Sequence, residues 1–127
     1  RFTIRTKIPE NLDCWADARQ LKQMILNLME NAENVMDQTG GTITISASEI
    51  SEDGQEKTLL QVSDNGPGIA EKFMVQIFEP FFTTRENGTG LGLAIVRQLV
   101  ESHGGQVWAK NNKKEGGAVF SFTLPLP

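Results

Sequence analysis

Apolar and polar residues alternate strictly along several stretches of the chain, which is the pattern of β-strands with one buried face. The first stretch, Phe2 to Ile8, predicts a half-buried strand. Thr42 to Ile50 and Thr58 to Ser63 alternate on either side of Asp53-Gly54, a pair typical of hairpin turns. A last hairpin is predicted from Gln106 to Lys110 and from Val119 to Leu124, with its turn from Asn111 to Gly117.

Apolar residues recur at helical spacing after Asp17, which predicts a long helix from Ala18 to about Met36 with Asp17 as its N-cap. A short helix is expected around Ala70 to Ile77. Another clear helix is expected from Leu91 to Ser102 or His103, because two glycines follow. We expect His103 to cap that helix. The buried face of the long helix is predicted to consist of Leu21, Met24, Ile25, Leu28, Ala32, Val35 and Met36.

The predicted order of elements is strand, helix, hairpin, short helix, loop, helix and hairpin, which indicates an α+β fold. Alternating hairpin strands bury one face of a sheet, and the helices gather on that face. We therefore expect a two-layer α/β sandwich, with a mostly antiparallel sheet covered on one face by about three helices. No linker or internal repeat divides the chain, so we expect residues 1–127 to form a single domain.

The composition limits the classes of partner. Of the 127 residues, 39% are hydrophobic and 22% are charged, as in a soluble globular domain. The net charge of -4 argues against nucleic acid as a partner, since phosphate binding needs clustered Lys and Arg. The single cysteine, Cys14, excludes an internal disulfide. No apolar run approaches the roughly 18 residues of a membrane span. Because the chain starts within a strand-like stretch, we expect it to be a piece of a longer protein.

Three asparagines lie along one side of the predicted long helix. Asn27 and Asn31 are four residues apart and therefore stack on one face, and Asn34 continues the stripe. At about 100° per residue this stripe flanks the apolar face, so the amides would border a half-buried space. An asparagine carbonyl oxygen can bind Mg²⁺ without adding charge. Solvated amides without any ligand are the alternative that the spacing leaves open.

Two glycine-containing loops are placed where a nucleotide could bind. Asp64-Asn65-Gly66-Pro67-Gly68-Ile69 follows a strand and has the composition of a plain turn. However, a carboxylate beside bare backbone can also accept a hydrogen bond from an amine such as that of adenine. Gly88-Thr89-Gly90-Leu91-Gly92-Leu93 opens a helix, where free N–H groups and the helix dipole favour phosphate. Its spacing fits neither the Walker A loop nor the dinucleotide fingerprint, and a flexible loop is the alternative.

An aromatic patch, Phe78-Glu79-Pro80-Phe81-Phe82, leads into the polar segment from Thr83 to Asn87. Packing in the core is the ordinary role of a residue such as Phe78. The polar segment lies between the aromatic patch and the second glycine loop, so it is placed to act as a lid over a ligand. Arg85 within it is placed to pair with a terminal phosphate.

Taken in this order, the four stretches resemble the N, G1, F and G2 boxes of the ATPase superfamily that joins gyrase, Hsp90, histidine kinases and MutL. The resemblance covers nearly the whole chain. The aromatic patch followed by Thr83-Thr84-Arg85 resembles the histidine-kinase branch, and the first helix is similar to that of nitrogen-regulation-type sensor kinases. The resemblance implies a Bergerat-type ATP-binding fold, in which a mixed sheet lies under three helices, with ATP and Mg²⁺ as cofactors.

The resemblance also implies a role for each matching position. Asn31 would bind Mg²⁺ and Asn27 would lie beside it near the phosphates, so both belong with Arg85 to the catalytic group. Asp64 would bind the adenine amine. The remaining nucleotide-binding positions would be Gly66, Gly68, Ile69, Phe82, Thr84, Gly88, Thr89, Gly90, Leu91, Gly92 and Leu93. The same resemblance implies that Phe78, Phe81 and Phe82 anchor the lid and help to dock a partner domain.

Two departures from the family pattern stand out. Many relatives carry a basic residue and then an aromatic residue where this chain has Asn34 and Val35. Relatives often have a hydroxyl residue near the end of the chain, where this chain has Gly117-Ala118-Val119-Phe120. A water bridge to the base would then be missing, or would be rebuilt from Ser121 or Thr123.

The resemblance implies a kinase rather than an ATP hydrolase. Hydrolysing members of the superfamily use a glutamate as general base four residues before the magnesium asparagine, and here that position is Asn27, whose amide cannot accept a proton. Glu30 projects about 100° away from Asn31 on the helix and is a poor substitute. We expect transfer of the γ-phosphate of ATP to a histidine in two-component signal transduction. The alternatives are an anti-sigma-factor-type protein serine kinase and a non-catalytic, nucleotide-gated interaction module.

The expected partners follow from the same resemblance. They are the dimerisation and histidine phosphotransfer domain of the same parent protein, which is absent from this chain, and a downstream response regulator reached through the parent. We expect no nucleic-acid partner and no direct membrane contact by this domain. We also expect a monomer in the cytoplasm, whether or not the parent is anchored in the inner membrane.

Overall fold

The computed structural model describes residues 2–14, 16–37, 39–83 and 90–126. Within these ranges the predicted strands and the two longer helices are confirmed, with ends that differ by a few residues from those predicted. The strands are β1 (Phe2–Lys7), β2 (Gly41–Glu52), β3 (Gln55–Asp64), β4 (Val107–Asn111) and β5 (Ala118–Pro125), and the α-helices are α1 (Ala18–Val35) and α2 (Gly92–Ser102).

The five strands form one mixed sheet in the order β1-β2-β3-β5-β4. β1 runs parallel to β2, whereas the other three neighbouring pairs are antiparallel. The expected mixed, mostly antiparallel sheet is therefore confirmed. In the centre of the sheet Ser63 of β3 lies opposite Val119 of β5. The end of β3 and the start of β5 consequently lie together at one end of the sheet.

The core lies between the sheet and the two α-helices, which pack on one of its faces. Met24 and Leu28 of α1 are fully buried, and so are Val96 and Val100 of α2. Alternate residues of the central strands meet them, including Phe122, which has no exposed surface. This arrangement confirms the two-layer α+β sandwich. Within the described ranges, no helix is long and apolar enough to cross a membrane.

The burial predicted for β1 is wrong, although the strand itself is present. Ile4 is 52% exposed, and every residue of the strand after Phe2 is exposed. Phe2 packs against the core. β1 lies at the edge of the sheet beyond β2, whereas α1 covers β2 and β3. An alternating pattern therefore predicted the strand correctly but could not tell whether a helix lies over it.

The short helix predicted from Ala70 to Ile77 is replaced by two 3-10 helices, Glu71–Phe73 and Gln76–Phe78. The second is followed by Glu79, whose ψ of 140° is the extended conformation that a following proline favours. A helix in the short stretch before this proline would form too few hydrogen bonds to offset the cost of its nucleation. Packing of individual side chains therefore decides the local conformation. Among the described residues, two α-helices therefore cover this face of the sheet instead of about three helices, and Phe78 of the second 3-10 helix packs against Phe120 of β5.

The predicted buried face of α1 is correct except at its C-terminal end. Leu28 and Ala32 are buried as expected, but Val35 is 41% exposed. Val35 is the last residue of α1, and Met36 after it ends the helix and is fully buried. Because the chain turns at this point, Val35 faces the cavity described below instead of the sheet.

The N-terminus of α1 is capped by Asp17 as predicted and is also tied to the end of α2. The Asp17 carboxylate accepts hydrogen bonds from the N–H groups of Arg19 and Gln20, both at 3.0 Å. The N–H of Asp17 donates to Nε2 of His103 at 3.3 Å. Nδ1 of His103 lies 2.7 Å from the carbonyl oxygen of Leu99, so Nδ1 carries the proton. His103 thus caps α2, as expected, and joins the two helices.

Replacement of the α1 cap is expected to destabilise the fold. Asp17→Ala removes the acceptor for two backbone N–H groups and should lower the free energy of unfolding by about 1 kcal/mol. Asp17→Asn keeps an acceptor oxygen at the same place and should cost only a fraction of that amount. Urea denaturation followed by circular dichroism measures both variants, and equal losses in the two would contradict the capping role.

Candidate functional site

A cavity of about 770 Å³ opens between α1, the 3-10 segment and the start of α2. This volume is in the range of roughly 300–1,000 Å³ that is typical of small-molecule sites. Three of the stretches selected from the sequence contribute to its wall, together with the aromatic patch. The predicted site residues that line it are Asn27, Asn31, Gly68, Ile69, Phe82, Gly90, Leu91, Gly92 and Leu93.

The asparagine stripe of α1 forms one wall of the cavity, as its helical spacing predicted. Asn27 donates from Nδ2 to the carbonyl oxygen of Gly92, 3.4 Å away, and so links α1 to the first residue of α2. Asn31 lies one turn further along α1, and its side chain forms no hydrogen bond with any described residue. Asn34 and Glu30 also line the cavity. Glu30 therefore contributes a negative charge at the rim, although the sequence indicated that it points elsewhere.

Asp64 is the last residue of β3 and its carboxylate is buried, with 6% of the residue exposed. Oδ1 accepts hydrogen bonds from the N–H of Gly66 at 2.9 Å and from the N–H of Ala118 at 3.3 Å. Burial raises the pKa of Asp64, because removal from water disfavours the charged form. The two N–H groups oppose this effect and lower the pKa. The strand-end carboxylate is thus held inside the protein by backbone donors.

The loop after Asp64 enters the cavity wall only at its far end. Gly68 and Ile69 are among the residues that line the cavity, whereas the described lining includes neither Asp64 nor Gly66. A Cβ atom on Gly66 would lie 2.8 Å from the side chain of Met36, which is fully buried beneath this loop. The missing side chain at Gly66 therefore allows the loop to pack on the core, and Asp64 lies behind the wall.

Among the described residues, few side chains cover the start of α2 where it faces the cavity. Gly90 has a φ of +72°, and a Cβ atom there would overlap the backbone of Phe81, whose N–H donates to the Gly90 carbonyl at 2.8 Å. A Cβ atom on Gly92 would meet nothing within 4 Å. Leu91 supplies no side-chain cap to the helix. The first-turn N–H groups of a helix carry partial positive charge, so this end of the cavity favours an anion.

The aromatic residues near the cavity have different environments. Phe78 is 7% exposed and packs edge-on against Phe120 with ring centroids 6.1 Å apart, so its expected core role is confirmed. Phe82 lines the cavity and packs against Phe73 at a centroid distance of 5.2 Å. Phe81 is 74% exposed. Phe82 is therefore the phenylalanine of the patch that faces the cavity, and Phe81 faces outward.

Four predicted site residues, Thr84, Arg85, Gly88 and Thr89, lie outside the described residues. Their contacts with phosphate stay predictions. The described chain on the two sides of this segment comes together at the hydrogen bond between Phe81 and Gly90.

Ser121 and Thr123 do not supply the missing hydroxyl near Asp64. Ser121 accepts a hydrogen bond from the side chain of Gln61 at 3.0 Å, and Thr123 accepts one from the N–H of Gln106 at 3.2 Å. Side chains alternate along a strand, so both point to the face of β5 opposite Ala118, which lies beside Asp64. The suggestion that they rebuild a water bridge to the base is therefore wrong.

Asn111 is a residue near the site that sequence reasoning missed. The sequence placed it at the start of a turn, but it ends β4, and its amide forms two hydrogen bonds with the backbone of Ile69. No local signal could have revealed this, because the partners are 42 residues apart. Apolar residues of the 3-10 segment were missed for the same reason. The unpredicted lining residues from that segment are Ala70, Phe73 and Ile77.

The residues at the cavity fit a metal ion only as part of a larger ligand. Within the described ranges, no three His, Cys, Asp or Glu side chains come together. Mg²⁺ is commonly held by one or two protein oxygens together with phosphate oxygens and water. Asn31 offers an amide oxygen and Glu30 a carboxylate on the same wall. This set suits Mg²⁺ that enters together with a phosphorylated ligand.

The raised pKa of Asp64 is expected to make stability depend on pH in a defined direction. The folded state holds the Asp64 proton more tightly than the unfolded chain does. Stability therefore falls as the pH rises from the unfolded pKa to the higher folded pKa, and the penalty is constant above that window. Asp64→Asn keeps the Oδ1 acceptor but cannot ionise. Its free energy of unfolding, relative to the parent chain, should increase with pH across the window in urea denaturation. A relative stability that falls with rising pH would contradict this.

Solved structures with the same fold include a histidine kinase catalytic domain. The catalytic domain of histidine kinase ThkA matches with a TM-score of 0.83 and 35% identity, over 98% of this chain and 79% of that one. Full-length ShkA in complex with AMPPNP matches with a TM-score of 0.81 and 34% identity, over 98% of this chain and 26% of that one. The fold of this chain is therefore that of a histidine kinase catalytic domain.

Sequence relatives agree with this fold. The sensor histidine kinase ZraS of Escherichia coli K12 is 42% identical over 127 residues, all of this chain and 25% of ZraS. The sensor protein FixL of Bradyrhizobium diazoefficiens is 39% identical over 111 residues, or 87% of this chain and 21% of FixL. The chain thus spans about a quarter of these curated relatives. Residues 16–127 match the family model as well. The chain belongs to the family of histidine kinase-, DNA gyrase B- and HSP90-like ATPases.

Proposed function

We propose that this chain is the catalytic domain of a sensor histidine kinase, which binds Mg-ATP and transfers the γ-phosphate to a histidine of a separate helical domain. The observation that carries the proposal is the cavity in which the asparagine stripe of α1 faces the start of α2. The hydrogen bond from Asn27 to Gly92 holds these two walls together. Neighbouring walls of this kind suit the two needs of a bound triphosphate, which are oxygen ligands for its metal and N–H donors for its charge.

The adenine end of the nucleotide is assigned to the loop after β3. Gly68 and Ile69 form the wall there, and Phe82 offers an aromatic surface to the same cavity. In the proposed complex the carboxylate of Asp64 accepts a hydrogen bond from the exocyclic amine of adenine. For this contact, the adenine amine must pass the loop that lies between Asp64 and the cavity. Because Oδ1 already accepts two backbone N–H groups, the carboxylate is held in a fixed orientation for this contact.

The phosphate end is assigned to the opposite side of the cavity, at the start of α2. There the first-turn N–H groups and the helix dipole would stabilise the negative charge. Asn31, with Asn27 beside it, would contribute an oxygen ligand to Mg²⁺. When bound, that ion would neutralise part of the phosphate charge. Arg85, Gly88 and Thr89 are proposed to complete this end, and Thr84 is proposed to lie against the nucleotide.

The proposed reaction breaks the bond between the γ-phosphorus and the bridging oxygen of ATP, and ADP leaves. A bond forms between the γ-phosphorus and a ring nitrogen of the acceptor histidine. This chain contributes by orienting the triphosphate and stabilising its charge. Asn27 occupies the position of the general base in hydrolysing relatives, and an amide cannot accept a proton from water. The proposed site therefore holds ATP for a protein nucleophile.

The acceptor is not within this chain. His103 is its single histidine, and both its ring nitrogens are engaged, Nε2 with the N–H of Asp17 and Nδ1 with the carbonyl oxygen of Leu99. We propose that residues 1–127 act as one monomeric domain in the cytoplasm, and that the acceptor lies on a dimerisation and histidine phosphotransfer domain of the parent. A response regulator would receive the phosphate from that domain.

Binding of ATP is expected to depend on Asp64. A non-hydrolysable ATP analogue, titrated by calorimetry in the presence of Mg²⁺, should bind saturably to the parent chain. Asp64→Asn replaces one acceptor with a donor opposite the adenine amine and should weaken binding by about 10- to 100-fold. Asp53→Asn makes the same change in the β2–β3 turn and should leave the affinity unaltered. The proposal is refuted if Asp64→Asn and the parent chain bind equally well.

Phosphotransfer is expected to require Asn31 and to modify histidine alone. The domain is mixed with radiolabelled ATP and a separately produced phosphoacceptor hairpin of a sensor histidine kinase. The label on the hairpin should be acid-labile and base-stable, and it should disappear when the acceptor histidine is replaced. Asn31→Ala should slow labelling by at least about tenfold, since it removes a proposed metal ligand. An acid-stable label would indicate a serine kinase, and no label despite ATP binding would indicate a non-catalytic module.

A further inference from the structure

The side chain of Asn111 forms a two-point contact with the loop that ends at the cavity. Its Oδ1 accepts a hydrogen bond from the N–H of Ile69 at 2.7 Å, and its Nδ2 donates to the carbonyl of Ile69 at 2.7 Å. One planar amide thus satisfies both backbone groups of a single residue, as a neighbouring strand would do. The contact fixes the position and the orientation of Ile69.

Asn111 acts behind the cavity wall and not within it. Gly68 and Ile69 line the cavity, whereas Asn111 is absent from the described lining. The approach is close, since a Cβ atom on Gly68 would lie 2.8 Å from Oδ1 of Asn111. The Asn111 amide therefore lies directly against the backbone of Gly68 and Ile69.

The same hairpin also holds the other end of this loop. The β4–β5 connection is closed by a hydrogen bond from the N–H of Asn112 to the carbonyl of Gly117 at 2.9 Å. The next residue, Ala118, donates its N–H to Asp64. Asp64 and Ile69 are therefore both anchored to one hairpin, one through β5 and the other through β4. The distance between the buried carboxylate and the wall is set by that hairpin.

We infer that Asn111 is a positioning residue for the nucleotide base, which holds the Gly68-Ile69 wall at the distance from Asp64 that selects adenine. The inference rests on the proposed function. A loop held at Asp64 alone would have to be ordered each time the base binds, and that ordering would reduce the affinity. Because Asn111 acts on the base end only, its loss affects recognition of the base more than binding of the phosphates.

The test compares Asn111→Ala with Asn112→Ala, a matched control at the next position. The Asn112 side chain also accepts backbone hydrogen bonds, from Lys114 at 3.2 Å and Glu115 at 3.1 Å, but these lie within its own turn. Non-hydrolysable ATP and GTP analogues are titrated into each protein with Mg²⁺. Asn111→Ala should weaken the ATP analogue by about tenfold and the GTP analogue much less, so that the preference for adenine falls. Asn112→Ala should keep the preference.

A second variant and a second measurement guard against a simple loss of folding. Asn111→Asp preserves the size of the side chain and the acceptor for the Ile69 N–H, but it removes the donor to the Ile69 carbonyl, and it should also lower the preference. In the ligand-free proteins, hydrogen exchange at the Ile69 amide should accelerate in Asn111→Ala and not in Asn112→Ala.

The possible outcomes separate the inference from the proposed function. If the parent chain binds ATP and the Asn111 variants keep its preference for adenine, the inference is overturned and the proposed function stands. Parallel losses of both nucleotides would also overturn it, because they indicate general loosening of the fold. If the parent chain binds neither analogue, the proposed function fails and the inference fails with it.

Discussion

The buried carboxylate of Asp64 is the feature around which the neighbouring loops are arranged. A carboxylate with only 6% of its residue exposed pays a large desolvation cost, and backbone N–H groups on either side offset part of it. One N–H comes from Gly66, two residues further along the same loop, and the other from Ala118 at the start of β5. The loop after β3 and the β4–β5 hairpin must therefore keep their relative positions for the carboxylate to be satisfied.

The cavity depends on this arrangement through contacts that are individually weak. Asn111 of the same hairpin is hydrogen-bonded to Ile69, and Ile69 forms part of the cavity wall. On the other side, Asn27 bonds to Gly92 and Phe81 bonds to Gly90, and both contacts help to hold the start of α2, which has no side-chain cap from Leu91. The cavity is thus bordered by backbone groups that neighbouring elements keep in place.

The sequence predicted the elements and the wall residues better than the contacts between them. Periodicity along α1 placed Asn27 and Asn31 on one side of the helix, because that relation depends on local geometry alone. The position of Asp64 at the end of β3 was likewise a local inference. The exposure of Ile4 and Val35 was not predictable, since it depends on where the sheet ends and where α1 stops over it. A pattern along the chain does not show which other element packs over a given residue.

Long-range hydrogen bonds could not be predicted from the sequence for the same reason. Ala118 contacts Asp64 across 54 positions, and Asn111 contacts Ile69 across 42. Ala118 belongs to a stretch in which relatives often have a hydroxyl residue, yet here its backbone N–H is the group that contacts the carboxylate. A backbone donor is available from almost any residue type, so a single sequence cannot identify it. Asn111 could have been singled out only after the strands were paired.

The hydrogen bond made by Asn27 gives a physical reason for an amide at that position. Asn27 donates from Nδ2 to the Gly92 carbonyl, and a carbonyl can only accept. An ionised glutamate at the same place has no proton to donate, and its oxygen would be repelled by that carbonyl. Such a residue would be free to act on water, but the link between α1 and the start of α2 would be lost. On the proposed function, the amide that joins the two walls of the nucleotide site also takes the place of the glutamate that hydrolysing relatives use as a base.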